Sequence, residues 1–319
     1  MTPNGRRVVA LSGGIGGAKL ALGLSGILPG EDLAIIANPG DDFEHLGLAV
    51  SPDTDTLLYT LSGLANPEAG WGRKDESWNF MAALAGLGGE TWFNLGDRDL
   101  ALHVERTRRL GAGESLTRIT DDVRRRLAID ARILPASDDP VRTVVETTAG
   151  DLAFQHYFVR DKCEPVVTGF RFEGAAGATA SPEVLAALAD PKLGAVVVCP
   201  SNPFISIDPI LAVPGLRDAI KSASAPVIAV SPIVGGRAIK GPTAKMMAEL
   251  GLPTTAAAVA RHYGGLLDGF VLDTADASAA AEIDALGLQV LSTNTVMRDL
   301  ADKRALARAV LDFAGRIAV

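Results

Sequence analysis

The chain is poor in cysteine and in positive charge. Its 319 residues include only two cysteines, Cys163 and Cys199, which stand far apart and can form neither a disulfide framework nor a metal cluster, so we predict reduced thiols in a cytoplasmic protein. Lys and Arg number 30 against 38 Asp and Glu. The resulting net charge of -8 argues against binding to the phosphate backbone of nucleic acids as the main function.

Long hydrophobic runs are also missing. No stretch approaches the roughly 18 uninterrupted apolar residues of a membrane-spanning helix, and residues 1–7 lack the apolar core of a secretory signal. We therefore predict neither membrane insertion nor secretion. A hydrophobic content of 48% and a mean hydropathy of +0.23 still favour a well-buried core. We predict a single α/β domain over residues 1–319.

The standard nucleotide-binding fingerprints are absent. A P-loop requires Ser or Thr after its lysine, but Lys19 is followed by Leu20. In the dinucleotide pattern counted from Gly14 and Gly16, the third glycine would fall at Lys19. The second apolar run ends at Asn38 rather than at a ribose-binding acid. A nicotinamide-dependent dehydrogenase is therefore disfavoured.

A glycine-rich turn between two apolar runs is what the sequence does contain. Residues 8–11 form an apolar run that begins with two β-branched valines, residues 12–19 read Ser-Gly-Gly-Ile-Gly-Gly-Ala-Lys, and residues 20–24 are apolar again. This pattern predicts strand, loop and helix, with backbone amides and the helix N-terminus placed to bind an anion. A tight turn that binds nothing is the alternative.

Alternation of strands and helices predicts the fold class. Apolar runs indicate strands at 8–11, 33–37, 195–199, 227–230 and 270–272, and helical patterns occur at 182–189, 216–222 and 302–317. We predict an α/β, Rossmann-like, largely parallel sheet with helices on both faces. A helical insertion at about 55–127 and a β-hairpin insertion at about 142–159 interrupt the alternation.

Two acidic loops follow the second predicted strand. Asp41 and Asp42 come directly after it, and Asp53 and Asp55 follow about a dozen residues later. Carboxylates at the carboxyl edge of a parallel sheet lie where such folds bind ligands, and a few aspartates with substrate phosphates commonly hold Mg²⁺. The alternative is that Asp53 caps a helix and that Asp41 and Asp42 belong to a turn.

Other polar clusters are further candidates. Asp97, Arg98 and Asp99 follow an apolar segment, and the arginine suits a phosphate or a ring carbonyl, unless the cluster only fixes a helix start. Ser201 and Asn202 follow the strand at 195–199 and suit phosphate or base recognition. No histidine lies beside a serine or cysteine nucleophile in the sequence; His103, one helical turn after Asp99, is the strongest histidine candidate.

Taken in order, these segments resemble the 2-phospho-L-lactate transferases (CofD type) of coenzyme F-420 biosynthesis. The resemblance runs from residue 11 to beyond residue 245 and depends on the ordered set rather than on one motif. The matching segments are 12–17, 40–42, 51–56, 96–99, 134–140, 200–203 and 231–233.

The resemblance implies a reaction and a set of roles. A guanosine diphosphate-linked three-carbon acid gives its phospho-acid group to a hydroxyl of the deazaflavin Fo, GMP leaves, and Mg²⁺ assists. Lactate, enolpyruvate and glycerate all remain open as the acid. The implied catalytic residues are Asp55, Asp97 and Arg98, with Asp99 a further candidate base; Asp41 and Asp55 hold the metal, and Asp55 and Arg98 bind the acceptor. The guanosine nucleotide is assigned to Gly13, Gly14, Gly16, Gly17, Asn38, Ser201 and Asn202, and a cytoplasmic homodimer is implied.

A regulatory protein is the alternative function. The gluconeogenesis factors resembling YvcK share the expected fold and bind nucleotide sugars without known turnover. The cluster at 96–99 and the long helical insertion, which would enclose a flat acceptor, favour the transferase.

Overall fold

The computed structural model describes residues 7–68 and 70–318. Residues 1–6, which carry most of the segment predicted to lack a signal core, lie outside the described residues. In the described residues the strands are β1 (Arg7–Ser12), β2 (Leu33–Ala37), β3 (Phe43–His45), β4 (Leu48–Val50), β5 (Arg132–Pro135), β6 (Arg142–Thr147), β7 (Gly150–Ala153), β8 (Val167–Glu173), β9 (Leu193–Val198), β10 (Val227–Val230), β11 (Ile233–Val234), β12 (Arg237–Ala238), β13 (Gly269–Asp273) and β14 (Gln289–Thr293).

Helices alternate with the strands over most of the chain. The α-helices are α1 (Gly14–Ser25), α2 (Pro52–Leu61), α3 (Asn79–Gly86), α4 (Asp97–Gly111), α5 (Leu116–Arg126), α6 (Pro182–Leu188), α7 (Asp208–Leu211), α8 (Leu216–Lys221), α9 (Thr243–Glu249), α10 (Ala256–Tyr263), α11 (Ala280–Asp284) and α12 (Leu300–Ile317). Short π-helical turns lie at His156–Arg160 and Pro203–Ile207.

A seven-stranded parallel sheet forms the centre of the molecule. Its strand order is β14-β13-β10-β9-β1-β2-β5, and every neighbouring pair is parallel. The predicted fold class is confirmed. From β1 the chain adds β2 and β5 on one side and then β9, β10, β13 and β14 on the other. The direction of winding reverses between β1 and β9, and such switch points open a ligand-binding crevice at the carboxyl ends of the strands.

Both faces of the sheet are covered. Alternate residues of β1 point to opposite faces, so that Val8 and Ala10 join one apolar core while Val9 and Leu11 join the other. The first core is closed by α1, α2 and α12. Helices α6 and α8 to α11 and a three-stranded antiparallel sheet of order β7-β6-β8 close the second.

All five predicted strands and all three predicted helices are present, with bounds shifted by at most two residues. Two strands of the parallel sheet were missed. Strand β5 spans four residues and ends at Pro135, and β14 is an edge strand in which Gln289 and Ser292 are exposed. Neither carries the continuous apolar run on which the prediction depended.

The two predicted insertions are also present. Helices α3, α4 and α5 and most of α2 occupy the helical one. Strands β6 and β7 form the hairpin, and β8 adds to it a third strand that the sequence did not predict.

The glycine-rich segment is more helical than predicted. Helix α1 begins at Gly14, directly after β1 and Gly13, so the expected loop over residues 12–19 was wrong in extent. Gly14 has a φ of +64°, and a Cβ on Gly16 would lie 2.3 Å from the carbonyl oxygen of Pro200. These glycines let the first turn of α1 pack directly against the chain leaving β9.

We expect Gly16→Ala to destabilise the protein by roughly 1–3 kcal/mol, because backbone must move to admit the methyl group. Urea unfolding checks this. Gly86→Ala is the matched control, since Gly86 is also helical but its added Cβ meets nothing within 4 Å. Equal unfolding free energies for Gly16→Ala and the wild type would contradict the proposed close packing.

Candidate active site

A cavity of about 630 Å³ opens at the carboxyl edge of the parallel sheet. Seven residues predicted as site residues line it: Gly13, Gly14, Gly16, Asp41, Asp55, Ser201 and Asn202. Among the described residues, two further predicted ones lie behind this lining. Gly17 packs against the hydroxyls of Ser12 and Ser201, and Asn38 is fully buried.

The ends of β1 and β9 are tied together at the switch point. The Ser201 hydroxyl accepts a hydrogen bond from the Gly13 amide (3.2 Å) and donates one to the Gly13 carbonyl (2.8 Å). The Asn202 side-chain oxygen accepts from the amides of Phe204 (3.0 Å) and Ile205 (3.4 Å). Both side chains therefore hold the cavity wall in place. Their nucleotide-binding role stays a prediction.

Asn38 holds two carboxylates side by side. Its amide nitrogen lies 2.8 Å from Asp41 Oδ1 and 2.8 Å from Asp53 Oδ2, while its own oxygen accepts from the Gly40 amide. The second oxygen of Asp53 accepts from the Gly14 amide at 2.7 Å. Asp53 therefore accepts a hydrogen bond from one of the amides at the N-terminus of α1 that have no intrahelical acceptor, and negative charge is stabilised there.

Burial makes this pair of carboxylates electrostatically costly. Burial raises the pKa of Asp53 to about 6, against the hydrogen bonds from Asn38 and Gly14. Burial and then the charge of Asp53 raise the pKa of Asp41 well above its usual value, although the Asn38 hydrogen bond opposes this. In residues 7–68 and 70–318, no Lys or Arg forms an ion pair with either carboxylate.

These residues fit a magnesium ion in one specific way. The described part of the chain contains no group of three or more His, Cys, Asp or Glu side chains that would hold a metal alone. Mg²⁺ is commonly bound by one or two carboxylates together with substrate phosphates and waters. Asp41 and Asp53, adjacent and without a cation, meet that requirement.

Asp55 has a different partner. Both of its oxygens accept hydrogen bonds from the guanidinium of Arg106. The distance from Arg106 Nη1 to Asp55 Oδ2 is 3.1 Å, and Arg106 is fully buried. Asp55 lines the cavity, but Asp53 is the carboxylate that shares a donor with Asp41. The metal role of Asp55 stays a prediction.

One face of α4 completes this wall of the cavity. His103 lies between two carboxylates, with Nδ1 3.8 Å from Asp55 Oδ2 and Nε2 3.3 Å from Asp99 Oδ2. The Tyr59 hydroxyl donates to Asp99. Burial raises the pKa of Asp99, but the neighbouring His103 and the hydrogen bond from Tyr59 outweigh it and hold that pKa below its usual value.

Arg106 and Tyr59 were not among the site residues predicted from the sequence. Asp99, His103 and Arg106 are spaced i, i+4 and i+7, which places them on one face of a helix. This spacing was visible in the sequence. Tyr59 gave no comparable signal, because its contact with Asp99 depends on the packing of α2 against the insertion.

Asp97 and Arg98 do not line the cavity, although Asp99, which follows them, does. Asp97 accepts from the Phe80 amide (2.9 Å), the Ser77 hydroxyl (2.7 Å) and both the amide and side chain of Asn79. The hydrogen bond from Phe80, followed by that from Ser77, lowers the pKa of Asp97 to about 2. The Arg98 side chain is exposed, and neither residue is among the described lining residues. Their catalytic and acceptor-binding roles stay predictions.

Comparison with known proteins gives a family match over nearly the whole chain. The family described as "2-phospho-L-lactate transferase CofD" matches residues 8–309. A protein of Streptomyces griseus named phosphoenolpyruvate transferase is 44% identical over 317 residues, covering 98% of this chain and 99% of that protein. A Mycobacterium tuberculosis protein of the same name is 40% identical over 337 residues, covering 98% and 100%.

Solved structures show the same fold at lower identity. A Bacillus halodurans protein described as a member of the upf0052 family aligns with a TM-score of 0.62 and 17% identity, over 96% of this chain and 98% of that one. In the described residues, no helix has both the length and the apolar character needed to cross a membrane.

We expect Asp41→Asn to raise the melting temperature of the metal-free protein by a few degrees. The substitution can keep the bond from Asn38 and removes a buried charge beside Asp53. The gain should grow as the pH rises above about 4, because a carboxyl of raised pKa keeps in the folded state a proton that the unfolded state releases. Raising the pH therefore destabilises the wild type.

Asp53→Asn is the matched comparison, with the same change of charge. Both oxygens of Asp53 accept hydrogen bonds, so one donor would face the new NH₂ group at a cost of about 1–3 kcal/mol. Thermal and urea unfolding without metal measure the stabilities of the Asp41→Asn and Asp53→Asn variants against the wild type. Destabilisation by both substitutions to the same extent would show that the like charges do not oppose each other in the folded state.

Proposed function

The chain belongs to the 2-phospho-L-lactate transferase CofD family, and we propose that it transfers a phosphoenolpyruvyl group to the deazaflavin Fo. The donor is the corresponding guanosine diphosphate-linked acid, and GMP is released. The observation that carries the proposal is the pair of buried carboxylates without a cation beside the free amides of α1, at the switch point of the sheet. As a member of this family the protein is a transferase of coenzyme F-420 biosynthesis.

The relatives' names favour phosphoenolpyruvate over the other three-carbon acids. Proteins of 40–44% identity over 98% of this chain are named phosphoenolpyruvate transferase. Those names denote an enzyme rather than a nucleotide-sugar-binding regulator. The likeness to the Bacillus halodurans structure concerns the fold alone.

The donor's diphosphate is proposed to lie over the first turn of α1. Gly13, Gly14, Ile15 and Gly16 all line the cavity there. The amides of the first helical turn have no intrahelical acceptor. Asp53 accepts a hydrogen bond from only one of them, the amide of Gly14. Asp41 and Asp53 are proposed to hold Mg²⁺ beside the diphosphate. The ion would neutralise charge on the phosphate oxygens when bound.

The acceptor is proposed to lie against the helical insertion. Tyr59, Phe93, Asp99 and His103 supply a wall that is part aromatic and part polar on that side of the cavity. Asp55, which Arg106 holds in one orientation, is proposed to receive the proton of the attacking hydroxyl. A carboxylate has lone pairs beyond those that the guanidinium occupies, so it can still accept from the acceptor.

The proposed step is an in-line displacement at phosphorus. The Fo hydroxyl oxygen forms a bond to the phosphorus of the phosphoenolpyruvyl group, and its proton passes to Asp55 and then to water. The bond from that phosphorus to the bridging oxygen breaks. The electron pair stays on this oxygen, which becomes a terminal oxygen of GMP. Positioning and charge neutralisation are the main contributions of the protein to such a transfer.

We expect the purified protein with Mg²⁺, Fo and the phosphoenolpyruvate-linked donor to form GMP and the Fo phosphodiester in equal amounts. Chromatography with mass detection measures both. Lactate- and glycerate-linked donors are the controls and should react with kcat/KM lower by at least about tenfold, or about 1.4 kcal/mol. A regulator would bind nucleotide and form no Fo phosphodiester, and GMP release without an Fo product would show hydrolysis instead.

We expect Asp41→Asn and Asp55→Asn each to lower kcat by at least about tenfold, because each removes a charge from the proposed reaction centre. Asp284→Asn, an exposed carboxylate at the end of α11, is the matched control and should be unchanged. Wild-type rates for either cavity variant at limiting Mg²⁺ would remove that residue from the mechanism.

A homodimer and a cytoplasmic location accompany this proposal as predictions.

A further inference from the structure

Two lysines reach the cavity. Lys19, on α1, and Lys240, in the segment after β12, both line it. Within the part of the chain that the structure describes, neither ammonium has a carboxylate within ion-pair distance. The Lys19 ammonium makes a long hydrogen bond of 3.4 Å to the Met297 carbonyl.

The two ammonium groups act on the same region of the cavity. A Cβ on Gly70 would lie 2.5 Å from Lys240 Nζ and 3.6 Å from Ile15 Cδ1, which places Lys240 over the first turn of α1. Lys19 is one helical turn beyond Ile15, on the same face of α1. Burial, followed by the charges of Lys240 and Lys303, lowers the pKa of Lys19. Like charges gathered without a counterion indicate a place for an anion.

The lysines and the carboxylates reach the cavity from different elements of the fold. Asp41, Asp53 and Asp55 follow β2 and β4, on one side of the switch point. Met297 follows β14 and Lys240 lies between β10 and β13, on the other side. The Lys240 ammonium also lies near Gly70 of the helical insertion, so the cations are not confined to the side of β10 and β14.

In-line displacement places developing charge on the leaving group. The attacking oxygen and the leaving oxygen lie on opposite sides of the phosphorus, so the leaving group departs away from the acceptor. The leaving phosphate gains one negative charge when the bridging P–O bond breaks and its electron pair stays on oxygen. Cations next to that oxygen stabilise the transition state more than the ground state.

We propose that Lys19 and Lys240 bind the phosphate of the departing nucleoside monophosphate and stabilise the charge that develops on it. This inference rests on the proposed function for the identity of the nucleotide. Fixed cations supply the stabilisation at the leaving oxygen, while Asp41 and Asp53 would hold a metal ion that neutralises charge beside the transferred phosphorus.

The test compares GMP with guanosine, which lacks the phosphate. By calorimetric titration, Lys19→Met and Lys240→Met should each weaken GMP binding by at least about tenfold and leave guanosine and Fo binding unchanged. Turnover should fall in both variants. Lys240→Arg keeps the charge and should retain most of the GMP affinity. Lys303→Met is the control, because Lys303 lies near Lys19 but is not among the described lining residues.

Three results would overturn the inference. Wild-type GMP affinity in both methionine variants would show that the lysines do not bind this phosphate. Equal weakening of guanosine and GMP would show that they shape the pocket instead. Weaker binding of the intact donor with unchanged GMP binding would place the carboxylate of the transferred acid at the lysines. Failure of the proposed function is a separate outcome, in which the wild type binds GMP but transfers nothing to Fo.

Discussion

The candidate site depends on the carboxylate of Asp53. One oxygen accepts from the first amide of α1 and the other from Asn38 at the end of β2, and Asp53 itself lies in the first turn of α2. Three elements of the fold therefore meet at one charged group. The same contacts bring a second carboxylate, Asp41, to the same amide nitrogen. The structure holds two buried carboxyl groups together, at a cost in stability that a bound cation would relieve.

Groups of both charges line one crevice. Carboxylates after β2 and β4, Lys19 on α1 and Lys240 after β12 all line the cavity at the switch point between β1 and β9. A parallel sheet brings such groups together without extra elements, because the loops that follow its strands meet at one edge. In the proposed reaction at phosphorus, the carboxylates and the lysines would act on different parts of the same diphosphate. The helical insertion is proposed to add the acceptor wall.

Strand and helix positions were largely predictable from the sequence, and the contacts of the site were only partly so. Continuous apolar runs identify the central strands, whereas the edge strand β14 is half-exposed and carries no such run. Asp41 and Asp55 were found because acidic residues follow strand ends, but the pairing of Asp41 with Asp53 depends on the orientation of the Asn38 side chain. Asp97 and Arg98 looked equally suitable in sequence. Only the packing of α3 shows that Asp97 caps the start of that helix.

A shared fold does not establish a shared function for this architecture. The Bacillus halodurans protein shares the architecture over nearly its whole length at 17% identity, which establishes the sheet and its switch point and nothing about chemistry. What a sheet of this kind provides is a crevice at strand ends and a helix N-terminus that favours an anion. The specific chemistry must then come from side chains in the loops that follow the strands. In this chain those side chains are two carboxylates on one amide, a buried Asp55–Arg106 pair and two lysines. Among residues 7–68 and 70–318, neither the Asp41–Asp53 pair nor the two lysines have an ion-pair partner, so a ligand that supplies the opposite charges is the simplest physical reason for their presence together.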